Sequence, residues 1–331
     1  MKAVVARRYG GPDVVDIVEL RPPAVKANDV LIEVRAAGLN PLDFKIRAGK
    51  AKLALPIKPP VALGCDVAGV VTGVGPKVTD FKEGDEVYAR LEKLRMGGLA
   101  EQVCADASVV AKKPASLTFQ QAAAIPLAAL TSLQALREVG AFTAKQRVLI
   151  HAGAGGVGSL AIQIAKILEL HVLTTTSTKN VDFVRELGAD EVIDYTKEQL
   201  DAKPRDLDGV FDSLGPASEL ASIRATRRGG IVVGVGGLPD GAFAKEWLPA
   251  FVRPALWMMT MKRRSAAEKA GVRFAYLFMR PDGAQLAEIA GWIDGGRMKQ
   301  VIHASFPLAQ VKEALAELER GRARGKIVVT I

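Results

Sequence analysis

The chain has 331 residues, 49% of them hydrophobic, which suffices for about two domains with packed cores. Lys and Arg outnumber Asp and Glu by 45 to 36, yet aromatic residues are only 5% and the basic residues are largely scattered, so nucleic-acid binding is set aside. No apolar run is clean enough for a membrane helix, because the nearest, residues 242–261, is broken by Lys245, Glu246, Pro249, Arg253 and Pro254.

In chain order, residues 2–7 read as a strand with no signal-like segment before it, which leads to a cytoplasmic expectation. Further short strands are predicted at 14–20, 29–37, 66–74, 86–89 and 101–103, punctuated by Gly10-Gly11-Pro12 and Lys58-Pro59-Pro60. This is the pattern of an all-β, barrel-like module. Cys65 and Cys104 are not at C-x-x-C spacing and are expected to be small buried apolar groups in a reducing compartment. An alanine-rich helical stretch follows at 118–140, with a break near Pro126.

From residue 147 strand and helix alternate. Strands are predicted at 147–151, 171–175, 191–193, 209–212, 230–235 and 272–279, with helices at 159–168, 180–188 and 216–227. Such alternation implies an α/β region with a parallel sheet covered on both faces. A helix at 283–294, a strand at 301–306, a helix at 308–320 and a strand at 326–331 close the chain. That tail is too short to stand alone and is expected to return to the N-terminal module. The predicted domains are therefore 1–120 with 282–331, and 121–281.

The first strand of the alternating region runs straight into Gly153-Ala154-Gly155-Gly156-Val157-Gly158, a G-x-G-x-x-G that opens a helix. Strand, loop and helix in that order point to a dinucleotide pyrophosphate. Gly153 is expected to make the tight turn, Gly155 to admit the phosphates, and Gly158 to let the helix lie close to the sheet. Free N–H groups at the helix N-terminus then meet the anion. The next strand ends in Thr176-Ser177-Thr178-Lys179-Asn180, without the carboxylate that NAD-binding versions place there. Hydroxyls and an ammonium suit a 2′-phosphate, so the expected cofactor is NADPH, with Ser177, Thr178 and Lys179 around the phosphate. A polar helix cap beside a solvated lysine is the other reading of the same residues.

Several further segments carry a family resemblance: Gly38-Leu39-Asn40-Pro41-Leu42-Asp43-Phe44-Lys45, Gly64-Cys65-Asp66-Val67-Ala68-Gly69, Gly97-Gly98-Leu99-Ala100-Glu101, Ile125-Pro126-Leu127-Ala128-Ala129-Leu130-Thr131, Leu187-Gly188-Ala189-Asp190 and Gly325-Lys326-Ile327-Val328. With the glycine loop, their order and spacing resemble the medium-chain dehydrogenase/reductases over essentially the whole chain. Within these the resemblance is to the zinc-independent quinone oxidoreductase and enone (alkenal) reductase branch. It implies a GroES-like β-barrel domain with an inserted Rossmann domain, a doubly wound parallel sheet. Zinc alcohol dehydrogenases of the family carry a cysteine where this chain has Asn40, and Gly-His-Glu where it has Gly64-Cys65-Asp66. With two cysteines and three histidines, none at ligand spacing, no metal is expected.

The resemblance also implies a reaction: hydride transfer from NADPH to a quinone or to the double bond of an α,β-unsaturated carbonyl. Lys45 is the candidate to stabilise charge on the carbonyl oxygen, unless it is a surface lysine on a loop. Asn40 either orients substrate or cofactor or only stabilises the turn before Pro41. Thr131 and Tyr195 correspond to positions near the nicotinamide and the adenine, each with a purely structural alternative. Gly234 and Val235 end the fifth strand, where backbone groups reach the nicotinamide amide. Trp247, Phe251, Trp257, Met258 and Met259 form core, a hydrophobic cleft or a subunit contact. The resemblance implies a homodimer, built through the edge strand at 272–279. An enoyl-thioester reductase and a non-catalytic NADPH-binding structural or regulatory protein are the competing readings.

Overall fold

Short runs of β-branched residues build most of the first third of the chain, and the computed structural model of the protein describes residues 1–200 and 206–331. Strands β1 (Lys2–Ala6), β2 (Val15–Glu19) and β3 (Asp29–Gly38) lead into helix α1 (Pro41–Arg47). Strands β4 (Val61–Ala62), β5 (Asp66–Val74), β6 (Glu86–Arg90), β7 (Gln102–Asp106) and β8 (Val110–Lys112) follow. Helices α2 (Phe119–Ala123) and α3 (Pro126–Leu133) are separate because Pro126 takes a first helical position, where no N–H is needed. A π-helical stretch, Gln134–Val139, continues α3.

The alternating region comprises β9 (Arg147–Ile150), α4 (Gly158–Ile167), β10 (His171–Thr176), α5 (Val181–Glu186), β11 (Glu191–Asp194) and β12 (Leu207–Asp212). It continues with α6 (Glu219–Ala225), β13 (Thr226–Gly234), α7 (Gly241–Trp247), α8 (Arg253–Met259), α9 (Met261–Ala270) and β14 (Arg273–Tyr276). The strand expected at 272–279 stops at Tyr276 because its neighbour β13 ends at Gly234, the residue opposite. Helix α10 (Gly283–Asp294), β15 (Ile302–Pro307), α11 (Val311–Glu319) and β16 (Lys326–Thr330) complete the chain.

Two units result, Met1–Leu130 with Arg280–Ile331, and Thr131–Met279. In the first, a sheet runs β15-β16-β3-β5-β6-β8 with β7 also on β3, beside a small sheet β2-β1-β4. The C-terminal segment joins this unit through β16, which pairs antiparallel with β3, and through Tyr88 Oη, which donates to Leu286 O at 2.6 Å. Its core includes Val4, Leu39, Leu63, Leu99 and Leu315. Residues 121–130, expected with the nucleotide-binding domain, group here instead. Ala122 and Ala123 are fully buried, and a Cβ at Gly38 would lie 2.2 Å from Ala123 O, so α2 lies directly on β3.

In the second unit six parallel strands run β11-β10-β9-β12-β13-β14. Leu149, Leu173, Val210 and Val232 fill its core. Strand order reverses between β9 and β12, and at such a switch point the loops beyond the strands' C-terminal ends part to leave a ligand crevice. Among the described residues no helix is long and apolar enough to cross a membrane.

Candidate functional site

The loop after β9 opens at that switch point. Its left-handed residue is Ala152 (φ 53°), and none of its glycines has a positive φ. The tight turn expected of Gly153 is therefore made one residue earlier. Gly153 serves packing instead, since a Cβ there would lie 2.1 Å from Thr174 Oγ1. A Cβ at Gly158 would lie 2.2 Å from Ala152 O, so this glycine does bring α4 against the strand end. At Gly155 the nearest atom is Ala152 O at 3.2 Å, which leaves open space over the loop. The amides of Val157 and Gly158 have no partner among the described residues, and Val157 provides no side-chain cap. Two unpaired N–H groups beside open space suit an anion.

His151, read in the sequence only as the end of a strand, is 3% exposed and anchors this loop. Ser222 Oγ donates to Asp212 Oδ2 at 2.9 Å, so at 3.0 Å it accepts from His151 Nε2. The ring's other nitrogen, Nδ1, then accepts from Thr175 Oγ1 at 3.1 Å, and that hydroxyl accepts from Ala152 N at 3.0 Å. These directions follow from the acceptor-only carboxylate and hold for a neutral imidazole. Burial lowers the His151 pKa against the opposing pull of Asp212, which keeps the ring neutral. Asp212 also accepts from Leu214 N, Gly215 N and Ser218 Oγ at 2.8–3.0 Å, so one carboxylate ties the loops after β9 and β12 together.

At the end of β10, Lys179 is exposed, with no ion pair or hydrogen bond to its side chain among the described residues. Ser177 Oγ accepts from Asn180 Nδ2 at 3.3 Å. Thr178 differs from expectation, because its hydroxyl donates to Asp194 Oδ2 at 2.6 Å and is not free for a phosphate. The carboxylate missing from this segment approaches from β11 instead. Hydrogen bonds from Thr178 and Thr196 hold the Asp194 carboxyl down at about 2. Tyr195, next to it, is 64% exposed. Thr131 is buried in α3. The Gly234 and Val235 backbone is already engaged: Val235 N donates to Asp212 O at 3.0 Å, and Gly234 O accepts from Leu277 N at 2.8 Å. Of the apolar stripe, Phe251, Trp257, Met258 and Met259 are exposed, so they are not core.

In the first unit Asn40 caps α1. Its backbone N donates to Asp43 Oδ2 at 2.8 Å, and its amide donates to Gly38 O at 3.2 Å and Asp66 Oδ2 at 2.9 Å. Lys326 Nζ donates to Asn40 Oδ1 and, at 2.8 Å, to Leu39 O. The Asn40 side chain is thus buried and fully bonded within this unit. Desolvation raises Asp43 to about 6, and its Oδ1 has no hydrogen-bond partner. Lys45, two residues on, is exposed on α1, and partial desolvation together with Lys50 lowers its pKa.

Residues 26–115 match the alcohol dehydrogenase GroES-like domain family, and residues 187–329 the zinc-binding dehydrogenase family. The chloroplastic NADPH-dependent alkenal/one oxidoreductase of Arabidopsis thaliana is 37% identical over 99% of this chain and 79% of its own. The chain belongs to the medium-chain dehydrogenase/reductases. This member falls in their quinone oxidoreductase and alkenal/one oxidoreductase branch. The quinone oxidoreductase of Coxiella burnetii is 32% identical with a TM-score of 0.85, covering 100% of this chain and 99% of that one. The Escherichia coli quinone oxidoreductase, solved with NADPH, is 25% identical with a TM-score of 0.83, covering 100% of both chains. The fold is accordingly a GroES-like domain with a Rossmann-type sheet, and the cofactor class is a nicotinamide dinucleotide.

The zinc that one family description names does not suit this reductase's residues. Asn40, Cys65 and Asp66 do come together, since Asn40 Nδ2 lies 3.6 Å from Cys65 Sγ and 2.9 Å from Asp66 Oδ2. The Lys326 ammonium already stands 3.8 Å from Asp66. Burial pushes the Cys65 thiol well up, away from the thiolate that zinc requires.

Proposed function

We propose that this medium-chain dehydrogenase/reductase is an NADPH-dependent oxidoreductase that delivers hydride to a quinone or to the double bond of an α,β-unsaturated carbonyl, without zinc. The observation that carries the reading is the pair of unpaired amides at Val157 and Gly158 beside open space at Gly155. The unpaired Lys179 ammonium, with Ser177 beside it, supports NADPH over NADH. The neighbouring Asp194 is tied up by Thr178, Thr196 and, at 3.5 Å, Lys197, which restrains its repulsion of a phosphate. When bound, NADPH supplies the hydride from its nicotinamide.

The protein's own part is to bind, orient and stabilise charge. Gly153 and Gly158 set the loop, and Tyr195 offers an exposed ring to the adenine. Lys45 presents an ammonium to the carbonyl oxygen, where negative charge grows during reduction. Asn40, fully bonded, is a positioning residue for α1 rather than a contact to substrate, and Thr131 lies in the helix assigned to the nicotinamide side. The exposed ladder edge of β14 is suited to pairing with a second copy, and a homodimer in the cytoplasm completes the reading.

The test is a panel of quinones, short enones and enoyl thioesters followed by NADPH absorbance, with NADH in parallel. Quinones or enones are expected to turn over faster than thioesters, with NADPH preferred. A thioester preference would move the activity to enoyl reduction, and NADPH binding without oxidation on any acceptor would remove catalysis altogether. Lys45→Ala is expected to lower kcat on enones by about a hundredfold with little change in NADPH affinity, the scale of losing one oxyanion donor. Unchanged kcat would reject the assignment of Lys45.

A further inference from the structure

A groove of about 580 Å³ in the first unit lies beside the C-terminal end of α1. Its apolar walls are Tyr9, Leu53, Pro56 and Pro59, and Leu53 is half exposed. The groove is fastened to α1: Gly10 N donates to Arg47 O at 3.1 Å, and a Cβ at Gly49 would touch the Tyr9 ring at 3.1 Å. Lys50 N donates to Lys45 O at 2.9 Å, which ties the turn of α1 that carries the candidate catalytic lysine to the segment leading into Lys52 and Leu53 of the groove.

The charge of this segment is one-sided. Between residues 44 and 65 the only charged side chains are Lys45, Arg47, Lys50, Lys52 and Lys58, five positive and none negative. Arg47 is buried and paired with Glu319 at 2.8 Å. Two more cations on the groove rim are also neutralised, Arg7 by Asp16 at 2.9 Å and Arg8 by Asp13 at 3.1 Å. Lys52 and Lys58, which line the groove, and Lys50 beside it have no side-chain partner among the described residues. Apolar walls alone select nothing, and one solvated lysine is ordinary surface. Together they fit an organic anion with an apolar body.

We infer that this groove recognises the anionic end of an amphipathic acceptor, a conjugated carbonyl compound or quinone bearing a carboxylate, whose electrophilic end then lies toward Lys45. This rests on the reductase reading proposed above. Exposed ammonium groups act as point charges, so the preference is modest and weakens with salt.

The experiment compares an enone carrying a terminal carboxylate with its methyl ester, which matches it in shape but lacks the charge. The acid is expected to have the higher kcat/KM, with an advantage that shrinks as salt rises. The double substitution Lys52→Gln with Lys58→Gln is expected to lower kcat/KM on the acid about fivefold more than on the ester. Replacing both by Glu is expected to widen that gap. Equal losses on acid and ester, or a wild-type preference for the ester, would overturn the inference. If neither compound oxidises NADPH, the reductase reading fails by itself. The groove is then decided by calorimetric titration with the saturated acid and its ester, where equal binding rejects it and acid-selective binding lost in the Gln variant upholds it.

Discussion

The loop after β9 and the start of α1 each hold a candidate functional group in place, and they do so by opposite means. The loop is fixed by a directed chain of neutral groups, from Ala152 N through Thr175, His151 and Ser222, ending on a single carboxylate, Asp212. The start of α1 is fixed by ions, with Asp43 and Asp66 buried alongside Lys326 and Arg90. A neutral chain sets geometry without changing charge over the ordinary pH range. A buried ionic cluster remains coupled to protons, because each charge there is balanced only while its partners stay ionised. Within the folded state the His151 ring thus stays neutral, whereas the Asp43 side exchanges a proton near pH 6.

The largest break in this comparison is expected from Gly158→Ala. The added methyl would meet Ala152 backbone, 2.2 Å from its carbonyl oxygen, and backbone cannot rotate away as a side chain can. Overpacking of this kind costs about 1–3 kcal/mol, so NADPH affinity should fall about ten- to hundredfold while the α1 region is untouched. Fluorescence titration with NADPH measures it, and an unchanged affinity would mean the loop has slack that the contacts deny.

A smaller effect is expected from His151→Phe. It leaves the Thr175 hydroxyl without its acceptor and Ser222 without its donor, a penalty of about 1–3 kcal/mol shared between stability and loop order. KM for NADPH should rise with kcat changed less. If instead thermal stability drops while KM for NADPH stays put, the chain supports the core only and does not position the loop.

The legibility of the two regions differs for a related reason. The glycine loop was readable because its constraints are local: strand, G-x-G-x-x-G and helix fall within about twenty residues. What escaped is what the fold brings in from afar. His151 meets Ser222 across 71 positions, and Thr178 meets Asp194 across 16, so neither a histidine at a strand end nor a missing carboxylate disclosed its partner. The left-handed turn at Ala152 was hidden too, since glycine draws the expectation of positive φ to itself. Around α1 the motif points to Asn40 and Lys45, but the buried bond from Lys326 comes from the last strand, 286 residues away.

The most delicate test falls on the ionic side. Burial raises the Asp43 carboxyl from 3.8 to about 6, so the folded state binds its proton more tightly than the unfolded state does. Its contribution to stability is therefore full below about pH 4 and is lost as pH rises through about 6. Asp43→Asn cannot titrate, yet its amide oxygen can still accept from Asn40 N. Relative to the variant, the wild type should lose about 1–3 kcal/mol between pH 4 and pH 7, read from urea unfolding at each pH. His151→Phe, measured the same way, should show the opposite slope: burial lowers the ring's pKa below that of the unfolded chain, so the wild type gains stability over this variant as pH rises from 4 to 7. A flat difference for Asp43→Asn would show that Lys326 and Arg90 offset desolvation and hold the carboxylate ionised, and the opposed slopes of the two anchoring devices would then not be seen.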